Sequence, residues 1–215
     1  MVRVMKIKYL MEQWGITFMI PFTITLIVLI GGAFLAVVYQ EQSRQEKMLL
    51  NNAENLADGV LSARTVFAKN QDRINYDSKG NYEFKFLNPV AGAALYIDEI
   101  NELSDVRIKQ TSDLYRNPNV KPDPWEEKAL EAFKEDPELE RYYGKVKGSD
   151  STFNYAVPLK IDESCLQCHG EPAGEMDITG FVKEGYKVGD LRGIVSIKIP
   201  LEEYQVNGQE RVYST

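Results

Sequence analysis

The sequence predicts a mixed α+β domain with a small antiparallel sheet and flanking helices, preceded by one N-terminal transmembrane helix. A long uncharged apolar stretch near the N-terminus predicts the membrane helix. Beyond it, some stretches have the apolar periodicity of helices, and later runs alternate or are rich in β-branched residues, as strands are. The resulting order of helix, short strands, helix, strand, loop and strand indicates an α+β domain.

The membrane segment lies between Glu12 and Glu41, which enclose no charged residue. Residues 16–38 are mostly Ile, Leu, Val, Phe, Ala and Met. At a rise of ~1.5 Å per residue they can cross a hydrocarbon core of ~30 Å with some tilt. Trp14 and Tyr39 flank them, as in the aromatic belts of membrane interfaces. We therefore expect a single-pass membrane protein in contact with the lipid bilayer.

The charges around this segment predict its topology. Its N-terminal side carries three basic residues, Arg3, Lys6 and Lys8. The positive-inside bias then places the N-terminus in the cytoplasm and the following domain on the periplasmic or extracytoplasmic side. A cleaved signal peptide is the alternative, but the apolar stretch exceeds the usual ~7–15 residues and Val37-Val38-Tyr39 lacks a small-residue cleavage pattern. Either arrangement exports the domain.

We expect three regions, namely a cytoplasmic tail with the anchor in residues 1–40, an exported cofactor domain in 41–204 and a polar tail in 205–215. The net charge is −7, and the first 40 residues carry +2, so the remaining residues carry −9. This acidic balance argues against nucleic acid as a partner.

The first part of the exported domain is predicted to be helical. A helix over residues 40–70 continues from the membrane segment, and Ala91–Val106 is expected to hold a shorter one. The apolar stripe of the first helix comprises Leu49, Ala53, Leu56, Val60, Ala63 and Phe67. Between the two helices, residues 77–80 mark a turn between short aromatic stretches that could pair.

The second part of the domain combines one more helix with strands. A proline-rich loop leads into a helix predicted from Trp125 to Phe133, with Asp123 as its N-cap and Pro124 at its first position. Thr152–Leu159 alternates as a strand does, with Phe153, Tyr155 and Val157 on one face. Leu191–Ile199 is a β-branched strand closed by Pro200.

The motif that carries chemistry is Cys165-Leu166-Gln167-Cys168-His169, which contains both cysteines and the single histidine of the chain. C-x-x-C-H is the pattern of c-type haem attachment. The two thiols form thioether bonds with the haem vinyl groups, and the histidine binds the iron from the proximal side. The motif therefore predicts one covalent haem c on Cys165, Cys168 and His169, with His169 as the iron ligand.

Three other interpretations of the motif are weaker. A structural zinc site normally needs four protein ligands, and the chain has no further cysteine or histidine. A thioredoxin-like redox pair would lie at a helix start in a βαβ context, which the sequence lacks. A simple disulfide is possible in an oxidising compartment but does not explain His169.

The sixth ligand of the iron stays open. A second histidine and a third cysteine are excluded within the chain. Met176, seven residues after His169, and Met48 on the predicted long helix are candidates, and lysine, tyrosine, water or an empty position are alternatives. An open position would favour the binding of a small gas, whereas a strong ligand would favour electron transfer.

Four sequence elements together resemble a known family. They are Arg116-Asn117-Pro118-Asn119, Pro124-Trp125-Glu126, Cys165-Leu166-Gln167-Cys168-His169-Gly170 and Leu191-Arg192-Gly193-Ile194-Val195-Ser196-Ile197. Over roughly residues 45–200 the sequence resembles the Tll0287-like haem family, also called DUF3365. The C-x-x-C-H motif alone is generic, whereas its order with the other elements is fairly specific.

The resemblance implies a PAS-like fold that holds one haem c. Members are often extracytoplasmic sensor domains, and some are stand-alone cytochromes. The resemblance also places the long helix beside the haem, with Val60, Arg64 and Phe67 near its distal side, and makes Arg64 a candidate donor to a haem propionate. Some members carry a distal cysteine on this helix, and this sequence has none there.

These observations predict an electron carrier rather than an enzyme. The chain ends at Thr215 without a signalling module or kinase motif, so we expect electron transfer to redox partner proteins, as part of a membrane complex. Gly31-Gly32-Ala33 would let another membrane helix approach closely. A haem-based redox or gas sensor acting through a partner is the second hypothesis. A peroxidase is less favoured because no second histidine can serve as a distal acid–base group.

Overall fold

The computed structural model describes the secondary structure of residues 2–148 and 151–201, and the side chains of these ranges from residue 17 onward. The predicted polar tail, 205–215, lies outside the described residues, as do the side chains of Arg3, Lys6 and Lys8. The chain divides into two compact units, Met1–Met48 and Leu49–Thr215, which are described separately below.

The first unit holds the N-terminal part of α1, a helix of bounds Val2–Lys69. Between Thr17 and Lys69 this helix contains an 18-residue window of mean hydropathy 2.4, none of it buried. The helix is therefore long and apolar enough to cross a membrane, as the sequence predicts. A signal sequence near the N-terminus would meet the same criteria.

The second unit combines helices with one antiparallel sheet, so the α+β prediction is confirmed. Its helices after α1 are α2 (Gln71–Asn75), α3 (Pro89–Leu103), α4 (Pro124–Glu135) and α5 (Leu166–His169). Its strands are β1 (Arg107–Thr111), β2 (Tyr142–Val146), β3 (Thr152–Lys160) and β4 (Leu191–Pro200). The strand order across the sheet is β1-β4-β3-β2, with every neighbouring pair antiparallel.

The central strands β3 and β4 match the predicted bounds closely, whereas the edge strands β1 and β2 are not among the predictions. Both edge strands have five residues and carry charged or exposed side chains such as Arg107 and Lys145. Short polar edge strands give a weak apolar pattern, and such residues also discourage pairing between sheets. The predicted turn at 77–80 is present, and the flanking Tyr76 and Tyr82 form an isolated antiparallel bridge.

One face of the sheet packs against α1 and α3. The predicted apolar stripe of α1 lies here, with Leu49, Ala53 and Val60 buried. The strand side chains of this core include Ile108, Phe153, Tyr155, Val157, Leu159, Val195, Ile197 and Ile199. The predicted common face of Phe153, Tyr155 and Val157 is therefore confirmed.

The opposite face of β3 is also buried, which corrects the prediction of a strand with a simple buried-and-exposed alternation. Residues 153–157 are all buried because α4 covers the second face. Ala129, Leu130 and Phe133 of α4 pack there against Ala156 and Ile194. The sheet is therefore the middle layer between two helical layers.

A capping box begins α4. The side chain of Asp123 accepts hydrogen bonds from the backbone N–H groups of Trp125 and Glu126, and Oε2 of Glu126 accepts one from the Asp123 N–H at 2.8 Å. Pro124 occupies the first position, so the predicted start of this helix is confirmed. Glu126 is 1% exposed and also pairs with Nζ of Lys109 at 2.7 Å. The ion pair between Glu126 and Lys109 therefore connects the start of α4 to β1.

Replacing Glu126 by alanine is expected to lower the free energy of unfolding by about 3 kcal/mol, because it leaves the Lys109 ammonium without its buried partner and removes half of the capping box. Urea unfolding followed by circular dichroism measures the change. The adjacent Glu127 is exposed, so Glu127→Ala is the matched control and should change stability by about 0.5 kcal/mol or less. Equal losses in the two variants would contradict the prediction.

Candidate cofactor site

The C-x-x-C-H motif lies on one short helical turn between β3 and β4. Asp162 begins the turn, and its Oδ1 accepts a hydrogen bond from the Ser164 N–H at 2.8 Å. A 3₁₀ turn over Glu163–Cys165 then continues into α5, which ends when the Gly170 N–H donates to the Leu166 carbonyl. In a helical turn, positions three apart share one side, so the backbone brings the two cysteines to the same side.

Both cysteines are half-buried, and no disulfide joins them. Burial raises the pKa of Cys165 and of Cys168, and the nearby carboxylates of Asp162 and Asp177 add to this effect.

The imidazole of His169 is fixed by a carboxylate 15 positions further along the chain. Nδ1 of His169 lies 2.7 Å from Oε2 of Glu184. The ring of Tyr186 lies edge-on to the imidazole, with 6.4 Å between the ring centroids, and the Tyr186 N–H donates to the His169 carbonyl. Glu184 therefore fixes the imidazole through Nδ1, and Tyr186 lies beside its ring and holds its backbone.

Arg116 connects the segments around the motif. Its guanidinium donates to both carboxylate oxygens of Glu184, at 3.1 and 2.9 Å, and to Oδ2 of Asp177 at 2.6 Å. It also donates to the carbonyl oxygens of Cys168 and Val182. One side chain thus joins the loop after β1 to the cofactor motif and to the hairpin that follows it.

Arg116 also contributes to the lowered pKa values of the two carboxylates that it contacts, Glu184 and Asp177. Burial raises the pKa of Glu184, but hydrogen bonds from Arg116 and His169 outweigh burial and hold this pKa below its usual range. Burial likewise opposes ionisation of Asp177, yet hydrogen bonds from Thr179, Phe181 and Arg116 lower its pKa well below the usual range. The pKa of His169 is lowered mainly by burial, with Glu184 opposing the shift. Both carboxylates are therefore ionised at neutral pH.

Arg192 adds a second cation to this group. Its Nη2 lies 3.8 Å from Oε1 of Glu184, and its Nη1 donates to Oγ of Ser112 at 2.5 Å. The neighbouring Gly193 is required because a Cβ there would come within 2.3 Å of the Thr111 carbonyl oxygen. The close approach of β1 and β4 at this point brings Arg192 beside the cofactor motif.

Arg64 lies near the cysteine end of the motif. Its Nη1 donates to Oε1 of Gln110 at 2.6 Å, and its pKa is lowered by burial, while the charges of Cys165 and Asp162 oppose that shift. A cleft of about 140 Å³ is lined by Leu61, Arg64, Thr65, Ala68, Pro89, Pro158, Leu159, Lys160, Asp162 and Ser164. The structure therefore places Arg64 on a cleft that Asp162 and Ser164, which precede Cys165 in the chain, also line.

The other predicted site residues lie at separate places. The ring of Phe67 is half-buried against Gly92 of α3, where a Cβ would come within 2.3 Å of the ring. Val60 is fully buried in the core between α1 and the sheet. Met176 is 62% exposed on the hairpin where it pairs with Val182. Met48 belongs to the first unit and is 37% exposed. The assignment of a methionine as sixth ligand stays a prediction.

The residues present fit a haem group. Two thiols can form the thioether bonds of a c-type haem and one imidazole can bind its iron, and Nε2 of His169 is the ring nitrogen not bonded to Glu184. The segments joined to the motif by Arg116 also carry exposed apolar side chains, which a porphyrin could cover. They are Leu114, Tyr115, Met176, Ile178, Phe181, Val182 and Val188.

The fold and this motif define an α+β domain with a C-x-x-C-H turn between its two central strands. The sequence profile of the Tll0287-like family matches residues 40–200, so the chain belongs to the Tll0287-like family. Among solved structures, the cyanobacterial haem protein Tll0287 is similar, with a TM-score of 0.56 and 22% sequence identity over 70% of this chain and 94% of the other. No curated protein sequence matches the chain significantly.

Glu184 and Asp177 are the site residues that the sequence does not reveal. Neither belongs to a recognisable motif, and both are distant in sequence from Arg116, which pairs with them. Arg116 and Arg192 are found in the sequence only as parts of the family elements. The hint that the sequence contains is Arg116 itself, because a guanidinium forms strong, often bidentate hydrogen bonds with carboxylates.

Proposed function

We propose that this protein is a membrane-anchored c-type cytochrome that holds one covalent haem and transfers single electrons. The observation that carries the proposal is the turn with Cys165, Cys168 and His169, in which Glu184 binds Nδ1 and leaves Nε2 for the iron. Family membership and the similarity to a haem protein add support. When bound, the haem supplies the one-electron chemistry.

The chain's own residues have defined parts in this proposal. Cys165 and Cys168 attach the porphyrin, and His169 binds the iron. Arg64, on the cleft that Asp162 also lines, is proposed to donate to a haem propionate, because its guanidinium is held by Gln110 and has a single hydrogen bond among the described contacts of its side chain. Phe67 is proposed to pack at the distal side and Met176 to be the sixth ligand.

The apolar part of α1 is proposed to anchor the protein, with the N-terminus in the cytoplasm and the haem domain outside. A redox protein or a larger membrane electron-transfer complex would then be the partner. The PAS-like description of the domain stays a prediction, and the four-stranded order β1-β4-β3-β2 is the arrangement to compare with it.

Absorption spectra of the purified full-length protein test this function. We expect a c-type pyridine haemochrome at one haem per chain, and a sharp low-spin reduced spectrum that carbon monoxide does not change. A denatured chain that keeps its haem would establish covalent attachment. A preparation matured with the c-type haem machinery that lacks the c-type band would overturn the proposal.

A haem-based redox or gas sensor acting through a partner is the second candidate. The observation that favours it is that the chain's only histidine and both cysteines lie in the motif, so that neither residue type can supply a sixth ligand. In this case the iron would have an exchangeable position. A Soret band that shifts with carbon monoxide would place this function ahead of electron transfer.

A further inference from the structure

His169 donates a hydrogen bond to an ionised carboxylate. Glu184 accepts N–H donors from Arg116 at both oxygens, and an ionised carboxylate can only accept, so Nδ1 of His169 carries the proton. This determines the tautomer in which Nε2 presents its lone pair. A carboxylate in this position also increases the electron density on the imidazole, which makes it a stronger metal ligand.

Glu184 is not free to turn away from the imidazole. The fork of Arg116 holds Oε1 and Oε2, and Arg116 is itself fixed by Asp177 and by the carbonyl of Cys168 within the motif. The loop could be held by the pairing with Arg116 alone. The additional contact of Oε2 with Nδ1, at 2.7 Å, is the contact that a purely structural role does not require.

The net charge of this group is close to zero, because Arg116 and Arg192 balance Asp177 and Glu184. A long-range electrostatic effect of the group on the iron would therefore be small. The hydrogen bond acts directly on the iron ligand, so its influence does not depend on a net charge.

We propose that Glu184 is a positioning residue that strengthens His169 as the axial ligand and thereby lowers the reduction potential of the haem. The inference rests on the proposed haem c function. An electron-rich imidazole stabilises oxidised iron more than reduced iron, so the carboxylate favours the oxidised state. The haem would exchange one electron with a redox partner. The proton would stay on Nδ1 of His169, hydrogen-bonded to Oε2 of Glu184.

Midpoint potentials of the full-length haem protein, measured by optical redox titration, test this role. In Glu184→Gln we expect the ratio of reduced to oxidised haem at a fixed potential to rise about tenfold, which for one electron equals ~59 mV. Glu175 is an exposed carboxylate on the same loop, so Glu175→Gln makes the same charge change and should leave the potential near that of the unaltered protein.

Glu184→Asp separates the hydrogen bond from the charge. Its carboxylate is one methylene shorter, so it keeps the charge but withdraws the oxygen from Nδ1. A raised potential in this variant, with altered g-values in the electron paramagnetic resonance spectrum of the oxidised haem, supports the inference. If Glu184→Gln fails to retain haem, the midpoint potential of Glu184→Asp tests the inference instead. An unchanged potential in every Glu184 variant that holds haem would overturn the inference, whereas absence of haem c from the unaltered protein would overturn the proposed function instead.

Discussion

Replacing both Cys165 and Cys168 by serine is expected to abolish covalent haem attachment. Serine hydroxyls do not form thioethers with vinyl groups, and the described structure contains no other cysteine that could replace them. The haem that remains with the chain after denaturation should fall from one equivalent to essentially none. Haem staining after denaturing electrophoresis measures the loss, and an immunoblot of the same gel measures the amount of chain.

The single variants make this test specific. Cys165→Ser and Cys168→Ser should each keep one thioether bond, so their haem should survive denaturation and their pyridine haemochrome bands should move toward those of a haem with one free vinyl group. Ser78→Ala, in the exposed turn at residues 77–80, is a control that should keep full attachment, because Ser78 belongs to none of the segments that carry the motif or its partners. Haem that resists denaturation in the double variant would contradict the assignment of these thiols.

The sequence predicts features that depend on neighbouring residues. The start of α4 at Asp123 and Pro124 and the apolar stripe of α1 both lie within a few turns of the chain, and the structure confirms both. The bounds of β3 and β4 follow from their apolar composition. The edge strands were missed because their pattern is weak, and the burial of both faces of β3 depends on α4, whose packing partner a local pattern does not specify.

The contacts around His169 depend on the fold. Glu184 reaches Nδ1 only because a hairpin over residues 174–183 returns the chain to the motif, where the Tyr186 N–H binds the His169 carbonyl. Asp177 is buried on this hairpin through its pairing with Arg116, 61 positions earlier. A sequence on its own offers many acidic residues as partners for Arg116, and the selection among them requires the folded chain.

Replacing Arg116 by glutamine is expected to cause a large loss of stability. The side chain of Asp177 is fully buried and that of Glu184 is 18% exposed, so both carboxylates would lose a cation within a poorly solvated site. The free energy of unfolding should fall by about 3 kcal/mol at neutral pH. Urea unfolding measures the loss. Arg116→Lys keeps the charge but lacks the planar guanidinium that donates to both oxygens of Glu184. Its free energy of unfolding should therefore lie between those of the unaltered protein and Arg116→Gln.

The pH dependence of this loss identifies its cause. Because the pKa of Asp177 is lowered in the folded protein, its ionised form contributes stability above the unfolded pKa of ~3.9, and this contribution disappears as the pH falls toward the lower, folded value. The difference in the free energy of unfolding between the unaltered protein and Arg116→Gln should therefore become smaller below about pH 4. Arg73 is an exposed arginine that donates to Asn70 at 3.4 Å, so Arg73→Gln should show no such difference at any pH. A difference that stays constant down to the acid transition would mean that Arg116 stabilises the fold by packing rather than by pairing with these carboxylates.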